Sequence, residues 1–176
     1  MAAIRITNPI QGAMGIVNSA GAPSAGTSKI QTLTIGGTPT AGTFTITYDG
    51  YTTTAITWTA TDATLVADID AALELLPNIG TGGVVTAAGT VTTGIGTITI
   101  TSGGNLAKLA HNTFSVTSSL TGTSPTLAIA QTTAGVTATA RGGTIGTLID
   151  DDTNGKLYIN TGTAVAPTWT VVGSQS

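Results

Sequence analysis

The sequence predicts a mainly β protein: an antiparallel sheet or sandwich with one helix packed on it, an extended N-terminal arm and a C-terminal β-hairpin. Three observations carry this reading. Threonine supplies roughly a quarter of the 176 residues and alternates with Ile, Val, Leu and Ala in segment after segment, the mix that suits a pleated, half-buried surface. Clusters of Gly, Ser and Asn separate those segments at turn-like intervals. One stretch, about 62–76, switches from a period of two to helical spacing.

Residues 1–29 read as an arm. Ile4-Arg5-Ile6 alternates briefly, Pro9 interrupts, and 18–28 is almost wholly small and polar, so the segment cannot bury a core of its own. Its apolar residues Ile4, Ile6, Ile10, Met14, Ile16 and Val17 exceed what a solubilising tail requires and point to docking, on its own domain or on a neighbour. A β-rich domain follows over 30–140. Leu33 and Ile35 alternate with Thr, residues 36–42 read as a long hairpin loop, and Phe44, Ile46 and Tyr48 alternate again. Asp49-Gly50 supplies a tight turn before a third strand at Ala55-Ile56-Thr57-Trp58.

In the helix, Leu65, Val66, Ile69, Leu73 and Leu76 form one apolar stripe behind Asp62, the expected N-cap, and Pro77-Asn78 ends it. Short strands resume at Val84-Val85, Val91, 95–100, 114–116, 127–129 and Val136. A composition shift near 140–146 sets off a terminal module, 141–176, in which 156–160 and 168–172 read as a hairpin.

Charge excludes several classes of function. Only 7% of residues are charged where a typical domain has about 25%. The five cations are scattered and the net charge is −3, so nucleic-acid binding is not expected. Zero Cys rules out disulfides, thiolate metal sites and a Cys nucleophile. No window approaches the roughly 18 consecutive apolar residues of a spanning helix, and residues 1–10 do not form a signal peptide, so no membrane role is expected and synthesis is placed in the cytoplasm.

Chemistry-bearing residues form no coherent constellation, and no enzyme activity or cofactor is expected. His111 is the only histidine, has no acidic neighbour in sequence and reads as a loop or surface residue. Asp68, Asp70 and Glu74 read as the solvated face of the helix, since carboxylates on one face do not span a sugar cleft. Asp150, Asp152 and Asn154 match the opening of a calcium loop, but Thr161 stands where the bidentate Glu belongs, so a turn held by Asx hydrogen bonds is preferred. No Gly-Lys-Ser/Thr follows any glycine pair, so phosphate loops are not expected.

The run Gln31-Thr32-Leu33-Thr34-Ile35, then 42–50 (Gly-Thr-Phe-Thr-Ile-Thr-Tyr-Asp-Gly), then 72–80 (Ala-Leu-Glu-Leu-Leu-Pro-Asn-Ile-Gly) resembles a β-rich module of tailed-bacteriophage structural proteins, over roughly 30–135. Residues 155–163 (Gly-Lys-Leu-Tyr-Ile-Asn-Thr-Gly-Thr), with Ala166-Pro167-Thr168-Trp169, are similar to a terminal hairpin of phage head-decoration and fibre-like proteins. The resemblance implies a capsid decoration, or cement, protein on the virion exterior, made in the host cytoplasm. Its partner would be the major capsid protein, and it would be a homo-oligomer, with a trimer one possibility. Two other readings stay open: a tail-fibre or adhesin module using Tyr158 and Trp169 as a receptor or glycan platform, and a hydrolase accessory module that binds polysaccharide.

Overall fold

The computed structural model of the protein describes residues 16–140 and 142–173. In chain order it forms β1 (Ile16–Ser19), β2 (Ile30–Tyr48), β3 (Tyr51–Thr52), β4 (Ile56–Thr57), α1 (Asp62–Glu74), β5 (Val84–Ala88), β6 (Gly96–Ser102), a 3-10 turn (Gly104–Leu106), β7 (Ser115–Thr133), β8 (Leu148–Asp151), β9 (Lys156–Asn160) and β10 (Trp169–Val171). The protein is mainly β with one α-helix among the described residues, as the Thr-rich alternation predicts. The chain makes two units, Thr27–Val136 and a second composed of Met1–Gly26 with Thr137–Ser176. These do not follow the three-part division expected from composition, because the chain on either side of the larger unit folds together.

In the larger unit β2 is the spine. Its first part pairs antiparallel with β6, which pairs with β5; its last part pairs with β3 and β4; and β7 runs beside it over almost its whole length. Residues 36–42 are therefore not a hairpin loop, and the strands expected at 114–116 and 127–129 are the two ends of one 19-residue strand. Two opposed bulges explain how Gly and Pro stay inside a ladder. Between Gly36 and Thr38 the register slips by one residue on β7, and between Pro39 and Ala41 it slips back by one on β2. Because successive side chains point to opposite faces, the extra residue in β2 changes the inward set from odd numbers, Leu33, Ile35 and Pro39, to even numbers, Phe44, Ile46 and Tyr48. Both halves of one strand thus face the same core.

The glycines are required by how closely the strands approach there. Gly37, Gly42 and Gly122 have φ of 72°, 105° and 139°, and a Cβ on them would lie 2.0 to 2.4 Å from backbone oxygens of Ser124, Ser119 and Thr38 respectively. On the core side α1 presents Leu65, Ile69, Ala72 and Leu73 to Leu33, Phe44, Ile46, Ile98 and Ile100, all of them buried. The apolar stripe read from the sequence is thus the packed side, with Val66 at its margin.

The helix cap departs from expectation. Thr61 is the N-cap and makes no side-chain capping bond, while Asp62 lies inside the first turn, where a carboxylate suits the helix dipole, and its Oδ1 accepts from the Gly94 N–H at 2.7 Å. Asp70 and Glu74 are not merely solvated either. Asp70 Oδ1 accepts from both the N–H and the hydroxyl of Thr86 at 3.0 Å, and Glu74 Oε1 accepts from the Gly82 N–H at 2.5 Å, so the helix is pinned to β5 and to the turn before it.

Replacing Gly42 with Ala is expected to cost about 2–4 kcal/mol, since it adds positive-φ strain to a clash with Ser119. Replacing Gly50, where φ is 84° and nothing lies within 4 Å, is expected to cost only about 1 kcal/mol. Urea midpoints of the two variants check this; equal losses would mean that close strand approach does not constrain β2.

Candidate functional site

The smaller unit holds most of the residues singled out in the sequence. Its sheet has the order β1-β8-β9-β10, with β1 parallel to β8 and the other pairs antiparallel. Ile16 and Val17 are therefore docked on their own chain as an edge strand, in register with Leu148 and Ile149, and the Asp152 N–H extends the pairing to the Ser19 carbonyl at 3.1 Å. Ile4, Ile6, Ile10 and Met14 lie outside the described residues.

The two faces of this sheet differ. One carries Ile149, Asp151 and Asn160, all without exposed surface, together with Tyr158 and Trp169. The other carries Ile16, Leu148, Leu157, Ile159 and Val172 together with Asn18 and Asp150; Ile16 is 47% and Val172 37% exposed, and the other three aliphatic residues are half-buried. Alternation along each strand places them there: Ile16 registers with Leu148 and Leu148 with Ile159, while Leu157 lies two residues from Ile159 and accepts from the Val172 N–H at 2.8 Å. Both faces thus mix aliphatic with polar side chains, and the second keeps its aliphatic residues partly exposed.

Tyr158 and Trp169 lie on the packed face, diagonal to each other across β9 and β10. Both are half-buried, and the Trp169 indole N–H is buried without a hydrogen-bond partner among the described residues. Burial of the indole N–H withdraws the polar edge of Trp169 from solvent.

Asn160, which sequence reasoning passed over as a strand end, organises the packed face. Its Nδ2 donates to the carbonyls of Gly143 (2.9 Å) and Thr144 (3.3 Å), and its Oδ1 accepts from the N–H groups of Gly162 (2.9 Å) and Thr168 (3.0 Å). One side chain thus satisfies two loops at once. The acidic turn is built similarly around Asp151 rather than Asp150 or Asp152. Asp151 accepts from the N–H groups of Thr153 and Asn154 at 3.2 and 3.1 Å and from Asn154 Nδ2 at 2.8 Å, and the Asn154 side chain holds its carboxyl below the ordinary value. The Asn154 amide is committed to that bond, and among the described residues no three His, Asp or Glu side chains are grouped to hold a metal.

In the larger unit His111 is more connected than a lone loop histidine. Its Nε2 lies 2.7 Å from Ser102 Oγ and its Nδ1 2.8 Å from the Asn112 carbonyl. The carbonyl only accepts, so Nδ1 carries the proton and Nε2 accepts from the serine hydroxyl. The Tyr48 ring meets the imidazole edge-on at 5.6 Å, and buried Lys29 donates through Nζ to the His111 carbonyl. Burial is the main reason the imidazole is held neutral, below its ordinary pKa. This is the donor order of a serine–histidine pair. Ser102 is only 4% exposed, however, and the N–H groups of Ser102 and Gly103 are taken by the Lys29 and Gly83 carbonyls, so the arrangement as it stands is a tie between β6 and the 103–114 segment. Elsewhere a cleft of about 270 Å³ separates β4 from α1, with Asp68 the charged residue in its wall.

Asn160→Ala is expected to destabilise the smaller unit by about 3 kcal/mol or more, because two N–H donors and two carbonyls lose their partner together. Fluorescence of Trp169 in a Trp58→Phe background reads that unit. A loss under about 1 kcal/mol would show that the two loops hold themselves. The His111 imidazole makes a second prediction. Its folded pKa lies below the unfolded value of 6.5, so its stabilising contribution is complete above that value and is lost as pH falls below it towards the folded pKa. Urea midpoints between about pH 7.5 and 5 are expected to fall more for the wild type than for His111→Ala; parallel slopes would contradict it. No family model matches this chain, and a search of curated proteins finds no match either.

Proposed function

We propose that the chain is a non-enzymatic virion structural protein that decorates the outside of an assembled bacteriophage head, binding the major capsid protein and stabilising the shell. The observation that carries this reading is the outer face of the smaller unit, on which exposed Ile16 and Val172 flank half-buried Leu148, Leu157 and Ile159, with Asp150 and Asn18 among them. Aliphatic side chains grouped on a sheet face at the surface mark a contact site. The phage-like motifs of the sequence supply the kind of contact. The mechanism is mass action: a protein that binds assembled capsomers, and not dispersed ones, stabilises the shell according to its free concentration and affinity. Aliphatic side chains buried in such a contact contribute roughly 1.5–3 kcal/mol each before ordering costs.

The role of the arm is narrower than its sequence implies. Deleting residues 1–28 would remove β1, the Ser19–Asp152 bond and the Ser24–Thr139 bonds, so it would damage the smaller unit rather than spare it. Deleting residues 1–15 leaves β1 in place and isolates whatever Ile4, Ile6, Ile10 and Met14 add.

The test is co-sedimentation with capsids stripped of this protein, using wild type, the 1–15 deletion, and Ile16→Asp with Val172→Asp, each checked by circular dichroism. The double variant is expected to bind at least about 100-fold more weakly, as two aliphatic contacts of this size are lost. Wild-type affinity in the folded double variant would remove this face from the contact. No binding by any of the three would sink the decoration reading.

A further inference from the structure

The larger unit covers one end of its sheet and leaves the other bare. Where β2 spans Ile30 to Ile35 the strand sequence is β7-β2-β6-β5. At the β5 end the outward N–H of Thr86 is taken by Asp70 Oδ1, the Thr86 hydroxyl is held within reach of Asp70 and of the Val66 carbonyl, and α1 lies alongside. At the β7 end, among the described residues, β7 pairs with β2 and with no other strand. A strand bonded on one side only turns the N–H and C=O of every second residue outward, as a template for another strand.

Natural edge strands are usually blunted by charge, proline or a bulge. Residues 126–131, Thr-Leu-Ala-Ile-Ala-Gln, have none of these: they pair with 31–36 in six consecutive positions without a register shift. The whole of β7 contains no Lys, Arg, Asp or Glu; its proline and glycine precede the segment, at 125 and 122, and register shifts bound the segment at either end. Leu127 and Ile129 pack against the core yet are only half-buried, while Ala128 and Ala130 stand exposed on the opposite side.

From these features we infer that the free edge of residues 126–131 pairs antiparallel with the same edge of a second copy of this chain, joining two four-stranded stretches into one sheet. Antiparallel pairing is its own twofold partner, so one segment supplies both strands. An uncharged edge meets its copy without like-charge repulsion, and in the register centred on Ala128, which sets Leu127 opposite the copy's Ile129, the two rows lie on one face and complete each other's burial across the axis. The alanines on the other side leave the approach sterically open. Six residues span about 20 Å, and a contact of that length is far below the roughly 1,000 Å² of a stable interface. The dimer is therefore weak and concentration-dependent, with Kd of micromolar or above, and gains weight wherever copies are held at high local concentration. This inference does not rest on the capsid reading, because it concerns the free protein.

Sedimentation velocity of the full chain is expected to show a monomer–dimer equilibrium between about 5 and 500 μM, and Ala130→Lys, which sets two cations at the junction, is expected to weaken it by at least tenfold. Since the chain has no cysteine, Ala128→Cys provides a second arm: mild oxidation should link this variant into dimers well before Thr153→Cys, a control in an exposed turn. A strictly monomeric wild type across that range, association undiminished in folded Ala130→Lys, or cross-linking no faster than the control would each overturn the proposal. None of these measurements contains capsids, so failure here leaves the co-sedimentation result to stand or fall alone.

Discussion

The larger unit depends on keeping one strand in register through a change of inward face. β2 and β7 stay paired through the change of inward face because, in the middle of the ladder, each admits one extra residue at nearly the same height and the two slips cancel; a further shift lies only at the end, by Ile30. If β2 bulged alone, everything beyond it would be displaced by one residue against β7, and a one-residue displacement turns an apolar row towards solvent. Phe44, Ile46 and Tyr48 reach the core that Leu33 and Ile35 enter from the other half because of this cancellation. The helix, β4 and β6 then have a common apolar surface on which to pack.

How much of this is legible in the sequence follows from whether a feature is local. The helix stripe is legible because Leu65, Ile69 and Leu73 repeat at a period that any neighbour must accept. The strand alternation at 43–48 is equally local. Residues 36–42 are misread because Gly36-Gly37 and Pro39 are turn residues by intrinsic preference, and only the partner strand, eighty residues later, makes a bulged ladder cheaper than a turn. Asp62 is misassigned as a cap for a similar reason, since its oxygen is drawn to the distant Gly94 N–H and Thr61 is left at the boundary.

The candidate surface was less legible than the fold. The run at Ile16 and Val17 signals docking, but nothing near it specifies that the recipient is β8, a parallel partner about 130 residues away. Asn160 gives no local signal either, since an asparagine at a strand end is commonplace and its four bonds come from two loops that composition cannot bring together. A faint signal exists for Asp151: of three consecutive aspartates, the middle one is followed by Thr153 and Asn154, and the N–H two residues on is the one with which an Asx turn closes. For Tyr158 and Trp169 the residue types are legible but not their setting, since strand parity, which directs both to the packed side, follows only from the register of β9 with β8 and β10.

Low charge is common to both units. A sheet edge is protected either by charge or by cover, and this chain has only 13 formally charged residues to distribute, eight of them acidic. Two of the acids, Asp70 and Glu74, are spent fastening the helix over β5 and its preceding turn, and a third, Asp151, is enclosed in a turn. The free edge of the larger sheet has Thr, Ala and aliphatic residues in place of gatekeepers, and the outer face of the smaller sheet sets its aliphatic residues around one carboxylate, Asp150. For a protein that works dispersed, that distribution invites aggregation. For one that works in an assembly it has a different consequence: contact surfaces with so little charge add little on-rate steering and little salt dependence, so their specificity must come from shape and backbone pairing. Binding that barely changes with ionic strength is thus the behaviour that the charge distribution itself entails.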